Sequence, residues 1–191
     1  MLSSSMHLPS LEACHRLMDE YGMLTNIRRH SLVVARLADQ ILTGLTTVAP
    51  SRAQTNRRLV ITGALLHDIA KTPCLHGTCN HAQIGAEICL RHGFPEIAPI
   101  VSEHVVLRDY NPDRYKAGLF NATELVYYAD KRVRHHSVVS LEERLEYILE
   151  HYADNDPTRR LLIRENFNKC KILEQHLFQW LPFSPQGLDL S

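Results

Sequence analysis

Apolar residues recur along this chain at helical spacing, and nowhere do they alternate with polar residues over the length of a strand. From Thr25 to Leu42 they fall at Ile27, Val34, Leu37, Ala38, Ile41 and Leu42, close to an i, i+3, i+4, i+7 stripe. Thr25 as N-cap and Gly44 as stop predict one helix over that span. A denser set, Leu59, Val60, Ile61, Ala64, Leu65 and Leu66, predicts a central, buried helix from about Arg57 to Ala70. Thr46 to Asn56 and Lys71 to Asn80 read as irregular, because Pro50, Pro73 and Gly77 break any pattern there. Further helices are expected from about His81 to Arg91, closed by Gly93, and from Pro95 to Val106. Beyond the turn at Asn111-Pro112-Asp113, the pattern predicts helices over Ala117 to Val133, Ser140 to Ala153 and Asp156-Pro157 to about Leu181. Ser140 and Glu143 have the spacing of a capping box. The expected fold is therefore all-α: one domain over 1–191, with a helical-bundle core over about 20–136 and a C-terminal helical extension over about 140–182.

Composition removes several classes. Hydrophobic residues at 45% and charged residues at 22% describe a globular chain. Lys+Arg and Asp+Glu are both 21, so no global basic field argues for nucleic acid or an anionic membrane. The longest apolar runs are far short of a membrane span. Met1 to Ser10 lacks a basic stretch followed by an apolar run, so no secretory leader is expected. The five cysteines are odd in number and scattered, which predicts a reducing, cytoplasmic setting and no disulfide framework.

Histidine is the unusual component, at 12 residues. His30 lies beside the apolar stripe of its helix. His67-Asp68 ends the most hydrophobic helix, in Leu65-Leu66-His67-Asp68-Ile69-Ala70-Lys71. Asp130 ends another apolar run, Leu125-Val126-Tyr127-Tyr128-Ala129. Each position alone has an ordinary explanation: a satisfied core histidine, a turn cap for Asp68, a pairing of Asp130 with Arg132 or Arg134. Together they offer what an oxygen/nitrogen site for Mn, Fe, Co, Ni or Mg needs, and a divalent cation would compensate carboxylates that are costly to bury alone.

The order His30, His67-Asp68, Asp130 resembles the H…HD…D signature of the HD-domain superfamily of metal-dependent phosphohydrolases. Leu65-Leu66-His67-Asp68-Ile69-Ala70-Lys71 is similar to that family's LLHDIGK segment, with Ala70 where glycine is common. Tyr128-Ala129-Asp130-Lys131 is similar to its closing AD segment, and the likeness runs roughly from Asn26 to Arg134. His81, followed by Gly85-Ala86, and His104 stand where members holding two metals carry extra histidines. This H…HD…H…H…D order resembles bacterial symmetrical diadenosine tetraphosphate hydrolases. The resemblance implies one metal on His30, His67, Asp68 and Asp130. It implies a second on His81 and His104, with Asp68 bridging.

An activity follows from the resemblance: metal-activated water attacking phosphorus in a small, nucleotide-like phosphoester or phosphoanhydride. Asp68 and Lys71 are the candidate catalytic residues, Lys71 also the leading phosphate-contacting cation, with Arg108 and Lys131 as further substrate-binding candidates. Some proteins of this fold hold mixed-valence di-iron and use oxygen, and Tyr110 and Tyr128 would be candidates near such a centre. A nucleotide-sensing module without catalysis is the third reading. The cyclic-dinucleotide branch is disfavoured, because no Gly-Tyr-Pro motif follows. Cys74, His76, Cys79 and His81 lack the two-pair spacing of a zinc finger and read as a loop beside the site, open to redox sensitivity. Substrate specificity is expected from Cys74 to Asn80, Arg108 to Lys116 and the C-terminal helices, which also offer a homodimer contact. His7, His15, His92, His135, His136, His151 and His176 read as surface residues.

Overall fold

A computed structural model describes residues 6–50, 55–75 and 79–188. Its helices are α1 (Leu11–Glu20), α2 (Thr25–Val48), α3 (Arg57–Leu66), α4 (His81–Arg91), α5 (Ala98–Glu103), α6 (Pro112–Lys116), α7 (Ala122–Lys131), α8 (Leu141–Tyr152) and α9 (Pro157–Leu177). A ribbon of two residue pairs, Val133–Arg134 against Ser137–Val138, is the only strand pairing among the described residues. The fold is all-α, as the periodicity requires. No helix among the described residues is long and apolar enough to cross a membrane.

Local chemistry starts most of these helices. Asn56, Asn80 and Asp156 each accept hydrogen bonds from two first-turn backbone N–H groups of α3, α4 and α9. Ser140 with Glu143 forms the expected capping box on α8, and Asn121 with Glu124 forms a second one on α7. That second box moves the start of α7 five residues beyond the expected Ala117. The segment read as a turn at Asn111 is the Asn-capped start of the short α6. The structure also adds α1, whose face of Cys14, Leu17 and Met18 is buried.

Helix α2 packs on α3 and α7, α3 reaches α5 and α7, and α4 lies along α5. α7 is the innermost element, with every residue from Glu124 to Lys131 buried. α8 and α9 pack on one another, and α9 also contacts α6 and α7. Tyr128 Oη donates to Glu174 Oε2 at 2.6 Å, and Arg132 Nη1 reaches the same oxygen at 3.1 Å. Tyr127 Oη donates to the Asn166 carbonyl at 2.9 Å. α9 is thus bonded directly to α7, the helix that carries Asp130.

Two expected helix ends moved for tertiary reasons. Gly44 does not stop α2; a Cβ there would lie 2.7 Å from Leu181 Cδ2 and 3.0 Å from Phe183 Cε1. Glycine keeps the backbone bare so that the chain after α9 can pack on it. α3 ends at Leu66 instead of Ala70. The His67 side chain takes the Ala64 carbonyl at 2.6 Å, the acceptor that Asp68 N–H would use in a continuing helix. The chain then tightens into three-residue turns, with Lys71 N–H on the Asp68 carbonyl at 2.9 Å.

Cysteine usage also differs from expectation. Cys74 and Cys79 form a disulfide, with Cα atoms 5.5 Å apart. Turns over 67–75 fold the chain back far enough for this closure, which spacing along the sequence does not reveal. Cys14, Cys89 and Cys170 are free and buried. His76, Gly77 and Thr78 of this loop lie outside the described residues.

Candidate metal centre

Helix ends converge at one point. His30 projects from the first turns of α2, His67 and Asp68 follow α3, His81 opens α4, His104 follows α5 and Asp130 lies near the end of α7. The structure brings these six side chains together. His30, His67 and Asp68 form one group able to hold a cation; Asp68, His81 and His104 form another, the ligand atoms of each lying within 4.8 Å of one another. Asp68 belongs to both. Asp130 joins the first, its Oδ1 standing 3.0 Å from His30 Nε2 and 3.7 Å from His67 Nε2. Gly85 lets α4 approach α5 so closely that a Cβ there would lie 2.7 Å from Val101 Cγ1, and this places His81 beside His104.

Backbone carbonyls orient the rings. His67 Nδ1 faces the Ala64 carbonyl at 2.6 Å, His104 Nδ1 the Val101 carbonyl at 2.7 Å and His30 Nδ1 the His135 carbonyl at 3.1 Å. A carbonyl only accepts, so each Nδ1 donates to it and each Nε2 is turned inward as a candidate ligand atom.

This arrangement fits metal ions. His67 Nε2 and Asp68 Oδ1 are buried with no hydrogen-bond partner. Asp68 Oδ1 lies 3.4 Å from His104 Nε2 and 3.5 Å from His81 Nε2. Lone pairs aimed at one another across such gaps repel, and a cation between them reverses the sign. Donors bound at roughly 2.0–2.2 Å to one ion stand roughly 3–4 Å apart, as these do.

The electrostatics favour the ligand forms that a cation requires. Burial lowers the His67 pKa to about 3, despite the pull of Asp68 and Asp130 in the other direction. Burial likewise brings His81 down to about 4. For Asp68, burial raises the pKa, but Lys71, His67 and His104 outweigh it and hold the carboxyl well below its usual range. Lys131, His30 and His67 do the same for Asp130 against the effect of burial.

These shifts predict an acid-labile metal-free protein. Protonation of His67 and His81 is depressed in the fold from 6.5 to about 3 and about 4, so the unfolded chain binds more protons between those values. Stability is fully present above 6.5 and is lost as pH falls through that window, at up to about 1.4 kcal/mol per pH unit for His67. Urea midpoints in chelator are expected to drop steadily from neutral pH to about pH 4.5. A flat profile would contradict a neutral, buried His67.

The flanking cations fall into three different situations. Lys71 is half-buried and donates to Asp68 Oδ2 at 2.8 Å. Lys131 is buried and not a solvated charge: its Nζ donates to Asp130 Oδ2 at 2.8 Å and to the His104 carbonyl at 2.7 Å. It borders the cavity at the centre, but its ammonium is committed to holding ligands. Arg108 is exposed after α5 and lines none of the main cavities, so the structure does not bring it to the site. Its backbone N–H donates to Glu103 Oε2 at 2.8 Å. Asp130 pairs with Lys131 and His30, while Arg132 turns to Glu174. Tyr128 is likewise bonded to Glu174, and neither it nor Tyr110 lines the main cavities. Of the histidines read as surface residues, His92 and His176 are half-buried, and His92 Nε2 lies 3.0 Å from Tyr21 Oη.

Sequence reasoning missed Arg144 and Tyr152 on α8. Both line the two cavities that open onto the centre, one of about 330 Å³ and one of about 590 Å³. No local motif marks them, because α8 carries a generic amphipathic pattern.

Among protein families, the HD domain model matches residues 27–186, a span that includes α8 and α9. No curated protein and no solved structure matches the chain.

Proposed function

This chain belongs to the HD domain family, and on that premise we propose that it is a metal-dependent phosphohydrolase, cleaving a phosphoester or phosphoanhydride of a small nucleotide-like substrate with water. The observation that carries the reading is Asp68: a buried carboxylate, shared by two histidine groups, whose Oδ1 has no partner of its own.

His30, His67, Asp68 and Asp130 would hold one divalent ion; Asp68, His81 and His104 would hold a second. Bound there, such ions polarise a phosphoryl group and make water acidic enough to attack it near neutral pH. The chain's own groups prepare the site. The carbonyls of Ala64, Val101 and His135 lock three rings with Nε2 inward. Lys71 keeps Asp68 ionised and stands on the wall of both cavities, where its charge attracts a phosphate. Lys131 keeps Asp130 ionised and ties it to the His104 backbone. Burial of Asp68, Asp130 and Lys131 strengthens the interactions between these charges.

The test is a metal analysis joined to a hydrolysis screen of mononucleotides, dinucleoside polyphosphates and aryl phosphates, with Mn, Fe, Co, Ni or Mg supplied. Reaction in isotope-labelled water is expected to place one solvent oxygen in the released phosphate. Metal bound at the centre without hydrolysis of any member of that panel would sink the reading.

A further inference from the structure

Three cations are buried among the described residues, and two of them are paired. Lys131 is held by Asp130 and Arg132 by Glu174. Arg144 is 8% exposed, yet its side chain makes no hydrogen bond or ion pair with any described residue, and its Nε is buried without a partner. Its guanidinium lies over the face of Tyr147, 5.5 Å from the ring centroid. A buried guanidinium without an anion is costly, and an anion bound in the cavity would offset that cost.

Its position says where that anion would sit. Four residues line both cavities: Asp68, Lys71, Arg144 and Tyr152. An anion on Arg144 therefore lies at the strip where the cavities meet, which Asp68 also lines. The smaller cavity leads from that strip between α8 and α9. Its outer wall is apolar: Val105, Val106, Ile148, Leu162, Ile163 and Phe167. Two of its polar side chains away from the centre have partners within the chain. Asn166 donates to the Val105 carbonyl at 2.8 Å and receives Tyr127 Oη at 3.0 Å, and Arg159 pairs with Asp154. Such a wall grips a group chiefly through its faces and volume.

We propose that Arg144 is the phosphate-binding residue of this site, and that the substrate is an organic phosphate whose flat or apolar part fills the cavity between α8 and α9. This rests on the phosphohydrolase reading and narrows it. The phosphate lies between the metal centre and the arginine fork, and the organic group is selected by size and apolar surface. A nucleobase and a simple aryl ring both present that surface.

The test uses the full, metal-loaded chain and binding by calorimetry, with ligands that resist hydrolysis: inorganic phosphate, phenylphosphonate and the phosphonate analogue of adenosine monophosphate. Arg144→Gln is expected to weaken all three by about 10- to 100-fold. Its melting temperature without ligand is expected to equal or exceed that of the parent, because an uncompensated charge has left the interior. Leu162→Asp, on the exposed rim of the apolar wall, is expected to weaken both organic ligands by about tenfold and to leave inorganic phosphate within about twofold. Unchanged phosphate affinity in Arg144→Gln overturns the arginine's role. Should that variant not fold, Arg144→Lys decides: loss of the fork is expected to weaken phosphate binding, and wild-type affinity overturns the proposal. Equal affinity of the parent for inorganic phosphate and both organic ligands overturns the apolar half. Tighter binding of the adenosine analogue supports a nucleobase in the cavity, and tighter binding of phenylphosphonate supports a smaller ring. If phosphate binding depends on Arg144 while no ester is hydrolysed with any metal, the anion site stands and the hydrolase reading alone falls.

Discussion

Asp68→Asn is expected to lower hydrolysis by about 10³-fold or more and to drop bound metal below one ion per chain, with the helical content unchanged. The substitution preserves shape and removes charge at the one residue common to both histidine groups. Asp68 Oδ1 faces His81 and His104, and Oδ2 accepts from Lys71 at 2.8 Å. An amide cannot serve Lys71 and a cation at once. Turned one way, its NH₂ group meets the Lys71 ammonium; turned the other way, it accepts from Lys71 but points its NH₂ group, a donor, to where a cation would bind. Metal content by elemental analysis, circular dichroism and steady-state rates together check the expectation. Full metal loading with parental rates would remove Asp68 from the centre of the mechanism.

Phe167→Ala is expected to cost about 3–5 kcal/mol and to lower the melting temperature by about 6–20 °C. Phe167 sits on α9 with 1% of its surface exposed, in the main hydrophobic cluster and on the wall of the smaller cavity. Its loss opens a void between the C-terminal helices and the core. Because Tyr127, Tyr128 and Arg132 bond α7 to α9 and to the chain around it, unfolding is expected to stay a single transition at the lower temperature. Two separate transitions by calorimetry would show that α8 and α9 melt apart from the rest, and the cavity they wall would then be less rigid than the fold suggests.

The local signals in the sequence were legible in proportion to how local their physics is. Ser140 with Glu143 marked the start of α8 correctly, because a capping box closes within four residues. Gly93 marked the end of α4 for the same reason; its φ of 76° is a conformation that glycine adopts without strain. Gly44 misled, because its role is set by Leu181 and Phe183, more than a hundred residues away. The expected extent of α3 failed through the His67 side chain, which takes over a backbone acceptor, an event that no propensity encodes.

The same division runs through the site. The order His30, His67-Asp68, His81, His104, Asp130 was readable, since polar residues at the ends of apolar helices stand out against the periodicity. Lys131 and Arg108 look alike as letters; only packing buries the first between Asp130 and His104 and leaves the second outside.

By itself the sequence determined the all-helical class, most helix starts and the donor types that can meet a cation, because periodicity, capping and ligand chemistry reside in short stretches of chain. Only the tertiary structure decided which ring nitrogens face inward, that Cys74 and Cys79 close a loop, and that Arg144 is buried without a hydrogen bond on the cavities that Asp68 also lines. Each of those depends on the distance between residues far apart in the chain, or on burial by other helices, and neither quantity exists until the helices have packed.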